Sequence, residues 1–190
     1  MSGTGSLAAP MQRVPLQGLQ DHNERLSRLF AANYRLVWRL LRRLGVRADG
    51  IEDAAQQVFL IVAERLPEIR EGSERSFIYG TALRIATGYR RRRERERLGC
   101  ALDEGFQSPL PNPAELTDQR RAREVLDWVL ARMHDDLRTV FVLFEIEGFT
   151  TAEIAGLVGV PQGTTASRLR RARESFRRLV RRAVGPSGDA

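Results

Sequence analysis

The sequence predicts an all-α protein: two small helical bundles joined by a flexible linker. Three observations predict it. Apolar residues recur every three to four positions in each long segment, and no segment alternates apolar and polar residues between turns as a half-buried strand would. A stretch rich in Pro and Gly interrupts that pattern near the middle of the chain. The basic residues gather in two segments, 84–97 and 168–182, one near the end of each half.

Residues 1–22 are rich in Gly, Ser, Pro and Gln and read as a flexible leader. They lack the basic start and apolar stretch of a secretory signal. The first bundle is placed at residues 23–97. From Glu24 to Leu44, the residues Leu26, Leu29, Phe30, Val37, Leu41 and Leu44 fall on one helical face, and Gly45 stops the run. Asp49 is placed as the N-cap of a second helix, with Glu52 as its capping-box partner. Ile51, Ala54, Ala55, Val58, Phe59, Val62 and Leu66 keep the 3.6 period until Pro67 ends it. A polar stretch, Glu68 to Arg75, leads into a third helix from about Ser76 to Arg97. Its inward stripe is Ile78, Ala82, Ile85 and Tyr89, which leaves Thr81, Arg84, Gly88, Arg91 and Arg92 on the other side.

Between residues 98 and 118, Pro109, Pro111 and Pro113 sit among Gly99, Gly105, Ser108 and Asn112, the composition of a linker. Its roughly 20 residues span at most about 70 Å, so the halves need not touch. The second bundle is placed at residues 119–184, followed by a tail, 185–190. Val125, Leu126, Val129, Leu130 and Met133 form one stripe, and Leu137 to Ile146 an apolar helix closed by Gly148.

Composition narrows the function classes. The chain has 190 residues, 42% apolar and 29% charged, which is enough to bury a core and argues against wholesale disorder. No apolar run approaches the roughly 20 residues that span a bilayer, so no membrane insertion is expected and a reducing cytoplasm is the default home. Cys100 is the single cysteine, which excludes an internal disulfide and leaves a neutral free thiol. Tyr34, Trp38 and Trp128 lie within helical stripes and read as core. No carboxylate or histidine cluster, Walker-type loop or nucleophile–His arrangement appears, so no catalytic residue, metal or cofactor is expected.

Net charge is +7, and every basic side chain is arginine. The two arginine-rich segments carry +5 and +7, so the rest of the chain is acidic, at −5. Two cationic stripes on an acidic body are the footprint of a polyanion binder.

The sharpest local signal lies between Gly148 and Leu179. Thr150 and Glu153 make a capping box ahead of Ile154, Ala155, Leu157 and Val158. Gly159-Val160-Pro161 is a short turn, and a basic helix capped near Gly163-Thr164 follows. Helix, Gly-containing turn and basic helix is the helix-turn-helix pattern. Leu169, Ala172, Phe176 and Leu179 pack inward, while Ser167, Arg168 and Arg171 face outward near the N-terminal turns. There an arginine can donate two hydrogen bonds to guanine, worth about 1–3 kcal/mol of discrimination. Arg177, Arg178, Arg181 and Arg182, further along, suit phosphates or solvent.

Glu145 to Ala155 together with Val160 to Arg173 closely resembles region 4 of bacterial RNA polymerase sigma factors. Glu52-Asp53-Ala54-Ala55-Gln56-Gln57-Val58-Phe59-Leu60 resembles region 2.2, and Phe77 to Arg93 resembles regions 2.3 and 2.4. The resemblance covers about residues 24–97 and 119–183, and with only regions 2 and 4 the chain is similar to the extracytoplasmic-function type. It implies a protein that binds core RNA polymerase at the β′ clamp helices and the β flap, selects promoter DNA and helps open it. Asp53, Gln56 and Gln57 match the face that docks on the clamp helices. Glu68 to Ser76 and the following helix match the part that flips and reads the minus-ten element, through Phe77, Thr81, Arg84, Arg91 and Arg92. Thr164, Ser167, Arg168, Arg170, Arg171 and Arg173 match the helix that reads the minus-thirty-five element. A separate anti-sigma protein is implied as the regulator. Gln57 stands where the family usually has Glu, Phe77 where it has Trp, Arg84 for Asn, Gly88 for Asp, and Ala166 for Lys or Arg. A stand-alone helix-turn-helix regulator remains the alternative; it would bind duplex DNA tightly without polymerase.

Overall fold

A computed structural model describes residues 16–99 and 118–184. The expectations for the first fifteen residues, for most of the linker with Cys100, and for the tail fall outside the described residues. The elements are α1 (Leu16–Arg43), α2 (Ile51–Arg65), a 3-10 turn (Leu66–Glu68), α3 (Glu74–Gly99), α4 (Asp118–Arg132), α5 (Asp135–Phe141) running into a π turn (Val142–Ile146), α6 (Thr151–Val158) and α7 (Gln162–Val184). No strand occurs among the described residues. The fold is all-α, as the periodicity predicts.

Each helix buries the stripe that its period marks. In the first half, Val37, Leu40 and Leu41 of α1, with Leu44 just beyond it, meet Ile51, Ala54, Val58 and Val62 of α2 and Ile78 and Ala82 of α3, all buried. Each such aliphatic side chain contributes about 1.5–3 kcal/mol, which is why these faces close on one another. In the second half, Leu130, Val140, Leu143, Leu169, Ala172 and Leu179 do the same, and Phe141 stacks on Phe176 at 4.5 Å. Trp128 is buried, and Tyr34 and Trp38 are half-buried against the core. Phe30 departs from its stripe and is 45% exposed, although its ring meets Phe59 at 4.8 Å and Tyr34 at 5.0 Å.

Several boundaries differ from the sequence expectation. α1 starts at Leu16 rather than Glu24, so residues 16–22 are helix and not leader; Leu19, seven residues before Leu26, continues the same period. Asp49 does not cap α2. Gly50 occupies the N-cap with no side-chain bond, and Asp49 turns to Arg47, whose Nε lies 3.4 Å from its Oδ1. α3 starts at Glu74 and α7 at Gln162, each slightly ahead of the expected residue. The helix expected from Leu137 to Ile146 starts at Asp135 and widens at its end, where the Glu147 amide donates to the Val142 carbonyl at 3.0 Å, a five-residue step. Gly148, at φ +74°, then reverses the chain.

The halves do touch. α6 packs on α3 and α4 on α1, and one continuous set of buried side chains runs through both halves.

Candidate nucleic-acid interface

The helix-turn-helix is built as its caps dictate. The Thr150 hydroxyl accepts from the Glu153 amide at 3.3 Å, and the Glu153 carboxylate accepts from the Thr150 amide at 2.8 Å. Donation to that carboxylate by the Thr150 amide, and by the Thr150 hydroxyl at 2.8 Å, holds the Glu153 carboxyl below the usual carboxylate range. Gly159, at φ +74°, ends α6 in the left-handed region, and α7 departs at Gln162. α7 buries Thr165, Leu169, Ala172, Ser175 and Leu179 against α4, α5 and α6, which turns its other face to solvent.

Of the six residues expected to read the duplex, Arg170, Arg171 and Arg173 are exposed on α7. Thr164 and Ser167 are half-buried, and the Ser167 hydroxyl donates to the Thr164 carbonyl at 2.9 Å. Arg168 does not face outward as expected. Its Nη2 lies 2.7 Å from Asp136 Oδ2 of α5, and the side chain is largely covered. Position 168 stands beside the buried Leu169, on the flank nearest the acidic first turn of α5, and the ion pair draws it there. Arg170 pairs with Glu174 at 3.1 Å, and Arg173 Nε with Glu145 at 2.6 Å over the Phe144 ring. Acids thus hold two of the exposed arginines at fixed places.

A shallow groove of about 390 Å³ runs along this face, lined by Phe144, Thr151, Ala166, Arg170, Arg173 and Arg177 among others. Arg177 was assigned by sequence to phosphate or solvent, yet it belongs to the same strip, one turn past Arg173. Gln162 was missed altogether. It is exposed at the start of α7, where its side-chain amide donates to Thr151 Oγ1 at 3.2 Å, the position from which a glutamine can reach a base edge. The spacing 166, 170, 173, 177 was the available signal for Arg177; nothing marked Gln162.

α3 carries the other set. Arg84, Arg91 and Arg92 are exposed, with Arg92 Nε 2.9 Å from Glu96. Phe77 is half-buried and packs against the core. Thr81 contradicts the expectation of an outward residue. It is 2% exposed, and its hydroxyl has no hydrogen-bond partner. The reason is that α3 is buried on more than one side. Besides the stripe at Ile78 and Ala82, the residues Tyr79, Gly80, Leu83 and Ala86 are buried, as α3 packs on α1, α2 and α6.

The turn ahead of α3 is held by an unexpected residue, Arg25 of α1. Its guanidinium donates to the Leu66 carbonyl at 3.3 Å, the Ile69 carbonyl at 3.0 Å and Glu74 Oε1 at 2.6 Å. The bond from Arg25, with backbone amides at the start of α3, holds the Glu74 carboxyl below its usual range. One arginine therefore fixes both ends of the segment expected to trap a flipped base. An arginine more than 40 positions upstream gives no local signal of this.

On α2, the residues Asp53, Gln56 and Gln57 are all exposed on the face opposite the buried stripe. Leu60 continues that face one turn on and is 60% exposed, an apolar contact that the sequence reading did not single out. Among the described residues no group of three or more His, Cys, Asp or Glu could hold a metal ion, and no helix is long and apolar enough to cross a membrane.

Comparison with known proteins agrees with this layout. Residues 29–96 match the family model for sigma-70 region 2, and residues 123–176 match the model for sigma-70 region 4; together they span well over half of the chain. The ECF RNA polymerase sigma factor SigE of Mycolicibacterium smegmatis is 28% identical over 143 residues, 74% of this chain, which spans only 56% of that relative's length. The ECF RNA polymerase sigma-E factor of Escherichia coli is 25% identical over 174 residues, 86% of this chain and 91% of that one. Among solved structures, the sigma factor RpoE in complex with the anti-sigma factor NepR from Bartonella quintana superposes with a TM-score of 0.69 at 18% identity, covering 83% of this chain and 98% of that one. CnrH in complex with the cytosolic domain of CnrY gives 0.61 at 20% identity, covering 86% and 92%.

Proposed function

Because this chain belongs to the sigma-70 family, as an extracytoplasmic-function member built of regions 2 and 4, we propose that it binds core RNA polymerase and directs promoter-specific initiation. It does no covalent chemistry of its own. The α2 face with Asp53, Gln56 and Gln57, extended by Leu60, docks on the clamp helices of the polymerase β′ subunit, and region 4 docks on the β flap. The exposed strip of α7 reads the minus-thirty-five duplex through Arg170, Arg171 and Arg173, with Gln162 and Arg177 beside them. Phe77, Arg84, Arg91 and Arg92 of α3, with the turn that Arg25 ties down, engage the melted minus-ten strand. Flipping a base costs a few kcal/mol of stacking, so a turn fixed at both ends serves as the trap.

The single observation that carries this reading is the pair of family matches in order, each ending within its own arginine-bearing helix. Arginine-rich faces supply affinity through phosphate contacts, and the polymerase supplies the frame that aligns them. The chain works in the cytoplasm, where its polymerase is. A separate anti-sigma protein controls it; of two structurally similar proteins, the sigma factor RpoE is known in complex with the anti-sigma factor NepR, and CnrH in complex with the cytosolic domain of CnrY.

The test is co-purification with core polymerase, followed by in vitro transcription from a promoter library. The expected result is a stable complex and a promoter-dependent transcript that neither component gives alone. Tight duplex binding by the isolated chain, with no polymerase bound, would overturn it in favour of a stand-alone regulator.

A further inference from the structure

Three arginines outside the proposed DNA contacts, Arg90, Arg93 and Arg138, meet at one cavity of about 750 Å³, a volume within the range of small-molecule sites. It lies where the loop after α1, the latter part of α3 and the start of α5 come together. Arg138 is the most enclosed, its side chain only 7% exposed. Its Nη1 donates to the Leu130 carbonyl near the end of α4 at 3.2 Å, and Arg90 Nη1 donates to the Leu44 carbonyl just past α1 at 2.7 Å. A Cβ on Gly45, at φ +92°, would stand 2.6 Å from Arg138 Nη2, so glycine leaves the room that the guanidinium fills. Burial pulls both guanidiniums down from their ordinary value, though an arginine stays protonated.

Their compensation is incomplete. One carboxylate, Asp135, is shared between them, 2.9 Å from Arg90 Nε and also against Arg138 Nη2. The neighbouring acid, Asp136, is held by Arg168. Arg93 is half-buried, and its Nε, like that of Arg138, is enclosed with no hydrogen-bond partner among the described residues. The other charged residues of the lining, Arg47, Asp49, Arg92, Glu94 and Glu96, are all exposed, where water and salt screen them. Three covered guanidiniums against one carboxylate leave two positive charges without a counter-charge.

A phosphate group supplies what is missing. It carries about two negative charges at neutral pH, and its oxygens accept the paired donors of an arginine fork. A second carboxylate would balance only half of the excess. Tyr89, whose ring lies against Gly50, and Met133 give the lining an apolar part that suits an organic group beside the phosphate. We propose that this cavity binds a small molecule bearing a phosphate group, held by Arg90, Arg93 and Arg138, and that the phosphate takes the place of the Asp135 carboxylate. Asp135 is 46% exposed, so it can turn to solvent when displaced. A DNA strand is the wrong size for the same place, because Arg138 is enclosed whereas Arg91, outside the cavity, lies open to it. The site goes beyond the sigma-factor reading and does not rest on it.

Calorimetric titration of the full chain with inorganic phosphate, pyrophosphate, ADP and GDP, at an ionic strength fixed by chloride, tests it. The expected result is saturable one-to-one binding, with a rise in Tm of about 5–10 °C at a hundredfold excess over Kd. Arg93→Ala removes a cation that has no partner to lose and is expected to weaken binding by about tenfold. Asp135→Asn removes the competing carboxylate; it is expected to lower the Tm of the free chain, to tighten binding, and to regain the lost Tm when the anion is added. Arg178→Ala removes an exposed cation outside the cavity and is expected to change nothing. ADP and GDP binding more tightly than pyrophosphate would assign a nucleoside phosphate, and equal or weaker binding an inorganic one. The absence of saturable binding, or weaker binding by a folded Asp135→Asn chain, would overturn the site. So would equal losses from Arg178→Ala and Arg93→Ala, which would show only diffuse attraction of anions to a basic chain. Every readout uses the chain without polymerase or promoter, so the site and the sigma assignment can fail separately.

Discussion

α3 and α7 are both long, arginine-rich helices proposed to read DNA, yet the fold treats them differently. α7 packs on its neighbours through one stripe and leaves a continuous strip of Ala166, Arg170, Arg173 and Arg177 open to solvent. α3 is covered by α1 and α2 on one side and by α6 on another, so much of its middle is buried and most of its exposed arginines gather towards its C-terminal end. The helix proposed to read the duplex is open as it stands. The helix proposed for the single strand has its middle covered. That contrast suits what each is proposed to do: a duplex site is always available to a rigid helix, whereas an exposed single-strand trap would bind any unpaired strand.

The largest effect that sharpens this contrast comes from α7. Arg170→Ala and Arg173→Ala are each expected to weaken promoter binding by polymerase carrying this chain by about 1–3 kcal/mol. Titrations at several salt concentrations separate their roles. A residue on phosphate lowers the salt slope by about one and weakens all sequences alike, whereas a residue on a base edge relaxes preference at one position. A loss of less than about twofold for both would break the assignment of this strip.

Arg84→Ala on α3 should act later and less. Open-complex formation is expected to slow about tenfold, equivalent to about 1.4 kcal/mol, with initial duplex binding unchanged. A template already unpaired at the minus-ten element should restore most of the rate. An equal loss on duplex binding would show that α3 meets DNA before melting, and the distinction between the two helices would fall.

Thr81→Val probes the buried side of α3. The hydroxyl is enclosed with no partner, so replacing it with a methyl of similar shape should leave stability unchanged or raise it by about 1 kcal/mol, a rise in Tm of about 2–4 °C. If Thr81 serves the melted strand, the same variant slows open-complex formation while the free chain gains stability. Destabilisation of the free chain would mean that the hydroxyl has a partner.

How much of this was legible follows from where each signal resides. The helices, the buried stripe of α2 and the Thr150–Glu153 box are written in neighbouring residues, and periodicity finds them. The burial of Thr81 is not, because a period marks one apolar face and α3 has more than one covered side. The second is covered by α6, more than 60 positions away, where Leu157 lies against Gly80. The inward turn of Arg168 depends on Asp136 of another helix, and the failure of Asp49 as a cap on a competing arginine two residues away. Charge run and apolar period say which helices carry arginine; only tertiary contacts say which arginines are free.

The smallest expected effect concerns the turn before α3, which α7 has no need of because a capping box starts its helix pair. Arg25 holds that turn through Glu74, and the carboxyl of Glu74 is held below its ordinary value by this contact. A depressed carboxyl stabilises the fold fully above its unfolded pKa, near 4.3, and that contribution is lost as pH falls through the lower folded value. Both partners are partly exposed, so the pair is worth less than about 1 kcal/mol, or under about 3 °C in Tm. Other carboxylates titrate in the same window, so the informative quantity is a difference. Arg25→Ala should lower Tm at neutral pH, and the gap between variant and parent should narrow as the pH drops from about 5 towards 3. A gap that stays constant would mean that Arg25 acts through the Leu66 and Ile69 carbonyls alone, whose acceptance of its hydrogen bonds does not change with pH.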